Sequence, residues 1–98
     1  MVAVKQIGIV VFPDVEELDV VGPWEILAAW TRQFPDDGYA VSCISDSGGP
    51  VTCAKGLTLG AHHSFGDAPD LDVLIYPGGQ GTRPQLHDDA VLGWVRRQ

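Results

Sequence analysis

With thirteen Asp and Glu against six Lys and Arg, this chain of 98 residues carries a formal net charge of −7. That field repels a phosphate backbone and argues against nucleic-acid binding by this segment. An apolar content of 45% is that of an ordinary globular core, so the chain reads as one small unit or a piece of a larger one and not as a disordered segment. No apolar run approaches the roughly 20 residues needed to span a bilayer, and no basic amino terminus leads into a long apolar stretch and a cleavage site. The expectation is a cytoplasmic protein. Cys43 and Cys53 both lie in apolar runs and read as buried thiols rather than a disulfide framework, with a bridge between them left open.

Gln6 to Phe12 is a nearly continuous apolar stretch, the pattern of a central strand covered on both faces, and Pro13-Asp14 ends it with turn chemistry. Beyond it, Val21, Trp24, Leu27 and Ala28 fall at helical spacing, with Ile26 and Trp30 widening the stripe, and predict a helix running to about Phe34. Proline is tolerated in the first turn of a helix, so Pro23 predicts a start close to Val20 or Val21, with Asp19 at or just before the amino end. A carboxylate there can cap free N–H groups, and it also stands outside the carboxyl end of the first strand.

Pro35-Asp36-Asp37-Gly38 breaks the helix and Tyr39 to Ser45 predicts a second strand. After Gly48-Gly49-Pro50, the short β runs Val51 to Cys53 and Leu57 to Leu59, joined by Ala54-Lys55-Gly56, predict a small hairpin. Ser64 and Asp67 have capping-box spacing and predict a single helical turn before Pro69. Val73 to Tyr76 is an unbroken apolar strand, the pattern of one covered on both faces, that stops in Pro77-Gly78-Gly79-Gln80-Gly81. Glycines in such a turn let backbone N–H groups face a ligand, and in an open α/β sheet ligands bind at that end of the strands. Asp88 and Asp89 are placed to cap a last helix with Val91, Leu92 and Val95 on its apolar face and Arg96 and Arg97 at its end.

The order predicts an α/β fold with three parallel strands, the first one central, leaving the Val73 strand with a bare apolar edge. Such an edge invites another strand, which predicts that residues 1–98 are the amino-terminal half of a larger domain. His62 and His63 with Cys53 match no common zinc spacing and read as an exposed loop pair. The glycine turn lacks the phasing of a dinucleotide fingerprint, and no phosphate-binding Gly-Lys-Ser/Thr loop occurs, so no nucleotide, metal or other cofactor is expected. Trp24 and Trp30 are expected in core or dimer contacts.

Phe12-Pro13-Asp14, Leu18-Asp19-Val20-Val21-Gly22-Pro23-Trp24-Glu25-Ile26-Leu27, the stretch from Gly49-Pro50-Val51 to Ser64-Phe65, and Leu71 to Gly79 resemble the ThiJ/PfpI superfamily, and within it the isonitrile hydratase branch. The pairing of Leu-Asp-x-x-Gly-Pro with Pro-Gly-Gly carries the resemblance. It implies a flavodoxin-like, doubly wound, mostly parallel sheet of the class I glutamine amidotransferase-like type, incomplete in this chain. It also implies a homodimer acting on a small-molecule substrate, and a reactive cysteine on a strand-to-helix elbow just past residue 98. By the same resemblance Asp19 is the acidic partner of that cysteine, and the N–H of Gly79, with Gly78, belongs to the anion-stabilising site. Glu16 and Glu17 are lesser candidates for the acid. The implied reaction is thiolate attack on an isocyanide carbon, followed by hydrolysis to an N-substituted formamide. A thiol with a pKa near 8.5 needs help to ionise, and an acid kept neutral by desolvation supplies a hydrogen bond and a proton. Glyoxalase, amidase and protein-repair activities occur in the same superfamily, and its fold also serves as the ligand-sensing domain of AraC-type regulators. Neither Cys43 nor Cys53 lies in an elbow, so the nucleophile is expected outside this chain.

Overall fold

The computed structural model describes residues 3–98. Its centre is β1 (Lys5–Val10), whose residues Ile7, Gly8, Ile9 and Val10 are all buried. On one side β1 pairs in parallel with β2 (Tyr39–Ser45), Lys5 opposite Tyr39 and Val10 opposite Ile44. The helix α1 (Glu17–Gln33) connects the two strands, and a short 3-10 turn at Pro35–Asp37 reverses the chain into β2. The hairpin strands β3 (Val51–Thr52) and β4 (Thr58–Leu59) form a separate antiparallel pair. They interrupt the path from β2 to β5 (His63–Ser64), which lies parallel along the outer edge of β2. From β5 the chain crosses to the far side of β1, where β6 (Val73–Ile75) pairs in parallel with Ile7 to Ile9. The main sheet therefore has the order β5-β2-β1-β6. Two helices follow, α2 (Thr82–Gln85) and α3 (Asp89–Arg96).

The mostly parallel, doubly wound α/β architecture expected from the sequence is present, with β1 inside the sheet and a small hairpin beside it. Three expectations need correction. The main sheet has four strands and not three, because His63–Ser64 adds an edge strand too short to show any hydrophobic period. The helix α1 begins at Glu17 and encloses Pro23. A proline there leaves the Asp19 carbonyl without its helical donor, and the first turn is instead set by tertiary ties described below. Asp19 consequently sits in the first turn of α1, with Glu16 at the capping position. Finally, β6 is not covered on both faces, since Val73 is 42% exposed.

The core runs along β1 and β2 through Ile9, Val10, Val11, Phe12, Cys43 and Ile44. At Gly8 the Leu71 and Ile44 side chains pack directly against the backbone, since a Cβ there would lie 2.7 Å from a Leu71 methyl and 2.8 Å from one of Ile44. At the carboxyl end of the sheet, Phe12 stacks on Tyr76 at 5.3 Å between ring centroids. Phe65 lies nearly coplanar over Trp94 at 4.2 Å, while the Trp94 indole N–H donates to the Phe65 carbonyl at 3.1 Å. That pair fastens α3 to the turn after β5, and face-stacked rings with a satisfied indole N–H are among the stronger contacts a small domain makes. The other two tryptophans pack at half-buried positions: Trp24 against the His62 ring and Trp30 against Tyr39, with its N–H on Asp37. Leu18, Ile26 and Leu86 remain at least 64% exposed, and a cavity of about 330 Å³ opens between Tyr76, Pro77, Val91 and Val95.

Candidate active site

The chain leaves β1 through Phe12 to Glu16, a loop that holds the candidate site together. Asp14 takes a positive φ of 64°, a conformation that Asp reaches more readily than most residues. Its carbonyl can then face the glycine turn after β6, where it accepts the Gly81 N–H at 3.3 Å. The Glu16 N–H donates to the Gly78 carbonyl at 3.0 Å. Two backbone bonds thus bind the turn to the loop, at distances that only glycine permits. A Cβ at Gly79, where φ is 129°, would lie 2.6 Å from the Glu16 nitrogen and 2.8 Å from the Asp14 oxygen, and one at Gly81 would overlap the Pro13 carbonyl oxygen.

One helical turn beyond the loop, the Asp19 N–H donates to the Glu16 carbonyl at 3.1 Å and the Asp19 side chain stands over the turn. Its Oδ2 would be 3.4 Å from a Cβ built on Gly78, so the absence of that Cβ leaves open space between the carboxylate and the backbone. Among the described residues, neither the Gly78 nor the Gly79 N–H has a hydrogen-bond acceptor. The Gly79 carbonyl is turned the other way, accepting from the Thr82 N–H and hydroxyl at 3.1 and 2.8 Å. The structure therefore brings Asp19, Gly78 and Gly79 together at the carboxyl end of the sheet: a carboxylate beside two unengaged backbone donors. Asp19 is exposed, so the desolvation expected around it is not supplied by the described residues.

Glu16 and Glu17 face away from that space, toward the hairpin. Glu17 Oε2 accepts the Lys55 N–H at 2.8 Å and the Leu57 N–H at 3.4 Å, and Glu16 accepts from the Lys55 ammonium at 2.7 Å. Burial works to raise the Glu17 carboxyl, but hydrogen bonds from its own N–H and those of Lys55 and Leu57, together with the Lys55 charge, outweigh it and leave its pKa below the usual value. This anchoring role was not legible in the sequence, where two adjacent glutamates before an apolar run look like a solvated helix start.

Both cysteines are free and buried. Burial pushes the Cys43 thiol up to about 11, and burial, then the neighbouring charges of Glu17 and Glu16, raises that of Cys53. A thiol so shifted is a poor nucleophile at neutral pH. His62 is committed to structure: its Nδ1 accepts the Cys43 N–H at 2.9 Å while its own N–H donates to the Cys43 carbonyl at 2.8 Å. The imidazole thus extends the edge of β2 by one residue ahead of β5. No group of three His, Cys, Asp or Glu side chains that could hold a metal ion occurs among the described residues.

In open α/β sheets ligands bind outside the carboxyl ends of the strands, the end at which the Asp19 carboxylate faces the glycine turn. The model of the DJ-1/PfpI family matches residues 5–98, and the chain belongs to that family. It is 39% identical to an isonitrile hydratase from Pseudomonas putida over 93 residues, which cover 95% of this chain and 38% of that protein. Among solved structures, a ThiJ/PfpI family protein from Pseudomonas syringae superposes with a TM-score of 0.80 at 31% identity, over 94% of this chain and 36% of the other. A DJ-1 superfamily protein from Agrobacterium tumefaciens superposes with a TM-score of 0.66 at 25% identity, over 95% and 47%. The chain thus spans less than half the length of each of these relatives. No helix among the described residues is long and apolar enough to cross a membrane.

Proposed function

We propose that this chain is the amino-terminal part of a cysteine-dependent hydratase of small carbon–nitrogen substrates, isocyanides foremost, with the nucleophilic cysteine supplied by a continuation past residue 98. The observation that carries the reading is the Asp19 carboxylate standing over the bare backbone of Gly78, with the Gly78 and Gly79 N–H groups free beside it. The 39% identity to an isonitrile hydratase supports the choice of substrate class. The exposed apolar edge at Val73 and the apolar cavity lined by Tyr76, Val91 and Val95 support a continuation that packs there. Exposed Leu18 and Ile26 on α1 fit a second copy of the protein.

In the proposed reaction a thiolate adds to the isocyanide carbon and a proton is delivered to give a thioimidate. Water then adds, the sulfur leaves, and R–N≡C has become R–NH–CHO with no change beyond the elements of water. Asp19 hydrogen-bonds the thiol and moves the proton. The Gly79 and Gly78 N–H groups stabilise negative charge as it develops, which preorganised backbone donors do without reorganising. In the full-length protein, Asp19→Ala lowers kcat by about 10²- to 10⁴-fold, the usual worth of a positioned acid or base. Because its carboxylate makes no hydrogen bond within the described residues, folding stays nearly intact. An unchanged kcat would reduce Asp19 to a surface residue of the first helical turn.

A further inference from the structure

The β3–β4 hairpin is bound to the β1–α1 loop by more than its own antiparallel pair. The Asp14 N–H donates to the Thr52 carbonyl at 2.9 Å and the Ala54 N–H to the Val15 carbonyl at 2.9 Å. Glu17 takes the two N–H groups at the hairpin tip and Glu16 takes the Lys55 ammonium. On its opposite side the same loop is bound to the glycine turn through Glu16 and Asp14. Glu16 is common to both sets: its backbone N–H holds Gly78, its carbonyl holds the Asp19 N–H, and its side-chain carboxylate holds Lys55. Glu17 Oε1 is shut off from solvent without a partner among the described residues, while Oε2 takes both hairpin-tip N–H groups.

The geometry points to Glu17 as a positioning residue: by fixing the hairpin tip against the first turn of α1, it holds Asp19 in register with the Gly78–Gly79 turn. The inference rests on the reading of Asp19 and that turn as the reacting site. Glu17 touches no reacting atom. It acts through Glu16 and Asp19, with the hairpin as a brace packed from outside.

The test is amide hydrogen exchange and the Asp19 side-chain carboxyl resonance in the full-length protein, for wild type, Glu17→Ala and Glu17→Gln. The Ala variant raises exchange at Lys55 and Leu57 by about tenfold or more, as loss of a charge-assisted acceptor requires. The inference further demands faster exchange at Glu16, whose N–H is held by Gly78, and a displaced Asp19 resonance. The Gln variant keeps an acceptor oxygen and restores most of both. Loosening confined to Lys55 and Leu57, with Glu16 and Asp19 as in wild type, would make Glu17 a cap of the hairpin and overturn the inference. Glu17→Asp, whose carboxylate is one methylene short of the hairpin-tip N–H groups of Lys55 and Leu57, carries the same test if Glu17→Ala does not fold. In steady-state assays on isocyanides a positioning role lowers kcat more than it changes KM. If wild type turns over no isocyanide while the exchange coupling is present, the functional reading fails and the mechanical one stands.

Discussion

Replacing Gly79 by Ala tests whether the glycine turn is held as tightly as its geometry indicates. The residue has a φ of 129°, and an added Cβ would sit 2.6 Å from the Glu16 nitrogen and 2.8 Å from the Asp14 oxygen, both backbone atoms that cannot rotate away. A non-glycine residue held in such a conformation costs about 1–3 kcal/mol. Relieving the overlap also separates the loop from the turn, with loss of the Glu16 N–H to Gly78 bond at about 1 kcal/mol. The sum is roughly 2–4 kcal/mol, which at a urea dependence of about 2 kcal/mol per molar moves the unfolding midpoint down by about 1–2 M. Gly60→Ala is the control, since nothing lies within 4 Å of its Cβ position and an unconstrained surface change stays within about 0.5 kcal/mol. Urea unfolding of the intact protein followed by tryptophan fluorescence reads both. Midpoints for the two variants that agree within experimental scatter would refute the close approach of turn and loop.

Removing the α3 cap with Asp88→Ala, whose Oδ1 accepts the Ala90 and Val91 N–H groups at 3.0 and 3.2 Å, costs about 1 kcal/mol, read as a lower urea midpoint with no change in fold by circular dichroism. Because burial raises the Cys43 thiol to about 11, its native form stays protonated where the unfolded thiol, near a pKa of about 8.5, ionises. Its contribution is therefore complete below the unfolded pKa and is lost as pH rises toward 11, and Cys43→Ala flattens that part of the stability profile; an unaltered slope would mean that the thiol is not sequestered. Trp94→Ala removes both the Phe65 stack and the indole bond to the Phe65 carbonyl, and truncation of a buried tryptophan costs about 3–5 kcal/mol, so loss of α3 protection in hydrogen exchange is expected at lower denaturant than in wild type.

The elements that the sequence announced are those whose burial is uniform or whose local chemistry is self-contained. The apolar runs of β1 and β2, the paired runs of the hairpin and the Asp88 cap needed no distant partner to be read. Ser64 and Asp67 likewise make the reciprocal bonds their spacing suggested, Ser64 N–H to the Asp67 carboxylate at 2.7 Å and Asp67 N–H to the Ser64 hydroxyl at 3.2 Å. What stayed hidden depends on contacts far apart in the chain. The start of α1 was placed late because Pro23 suggested a first turn. Its true first turn is held by Lys55 and Leu57, some forty positions away, through Glu17. The edge strand β5 is two residues long, and just ahead of it the His62 imidazole stands in for a backbone acceptor to the Cys43 N–H of β2. In the site, Asp19 and the glycine turn could each be singled out from residue type and position. The placement of the Asp19 carboxylate beside Gly78, and the ties of the Glu16 and Glu17 side chains to the hairpin, are tertiary facts.

The proposed function is the addition of water across an isocyanide carbon at a centre to which Asp19 and the glycine turn contribute. Its most direct test is incubation of the full-length protein with an alkyl isocyanide in water enriched in heavy oxygen, with products followed by mass spectrometry. The account predicts the N-substituted formamide carrying the heavy isotope in its formyl oxygen, formed by wild type and suppressed by about 10²-fold or more in Asp19→Ala. Recovery of unreacted isocyanide from wild type, or formamide formed equally by the variant, would contradict it.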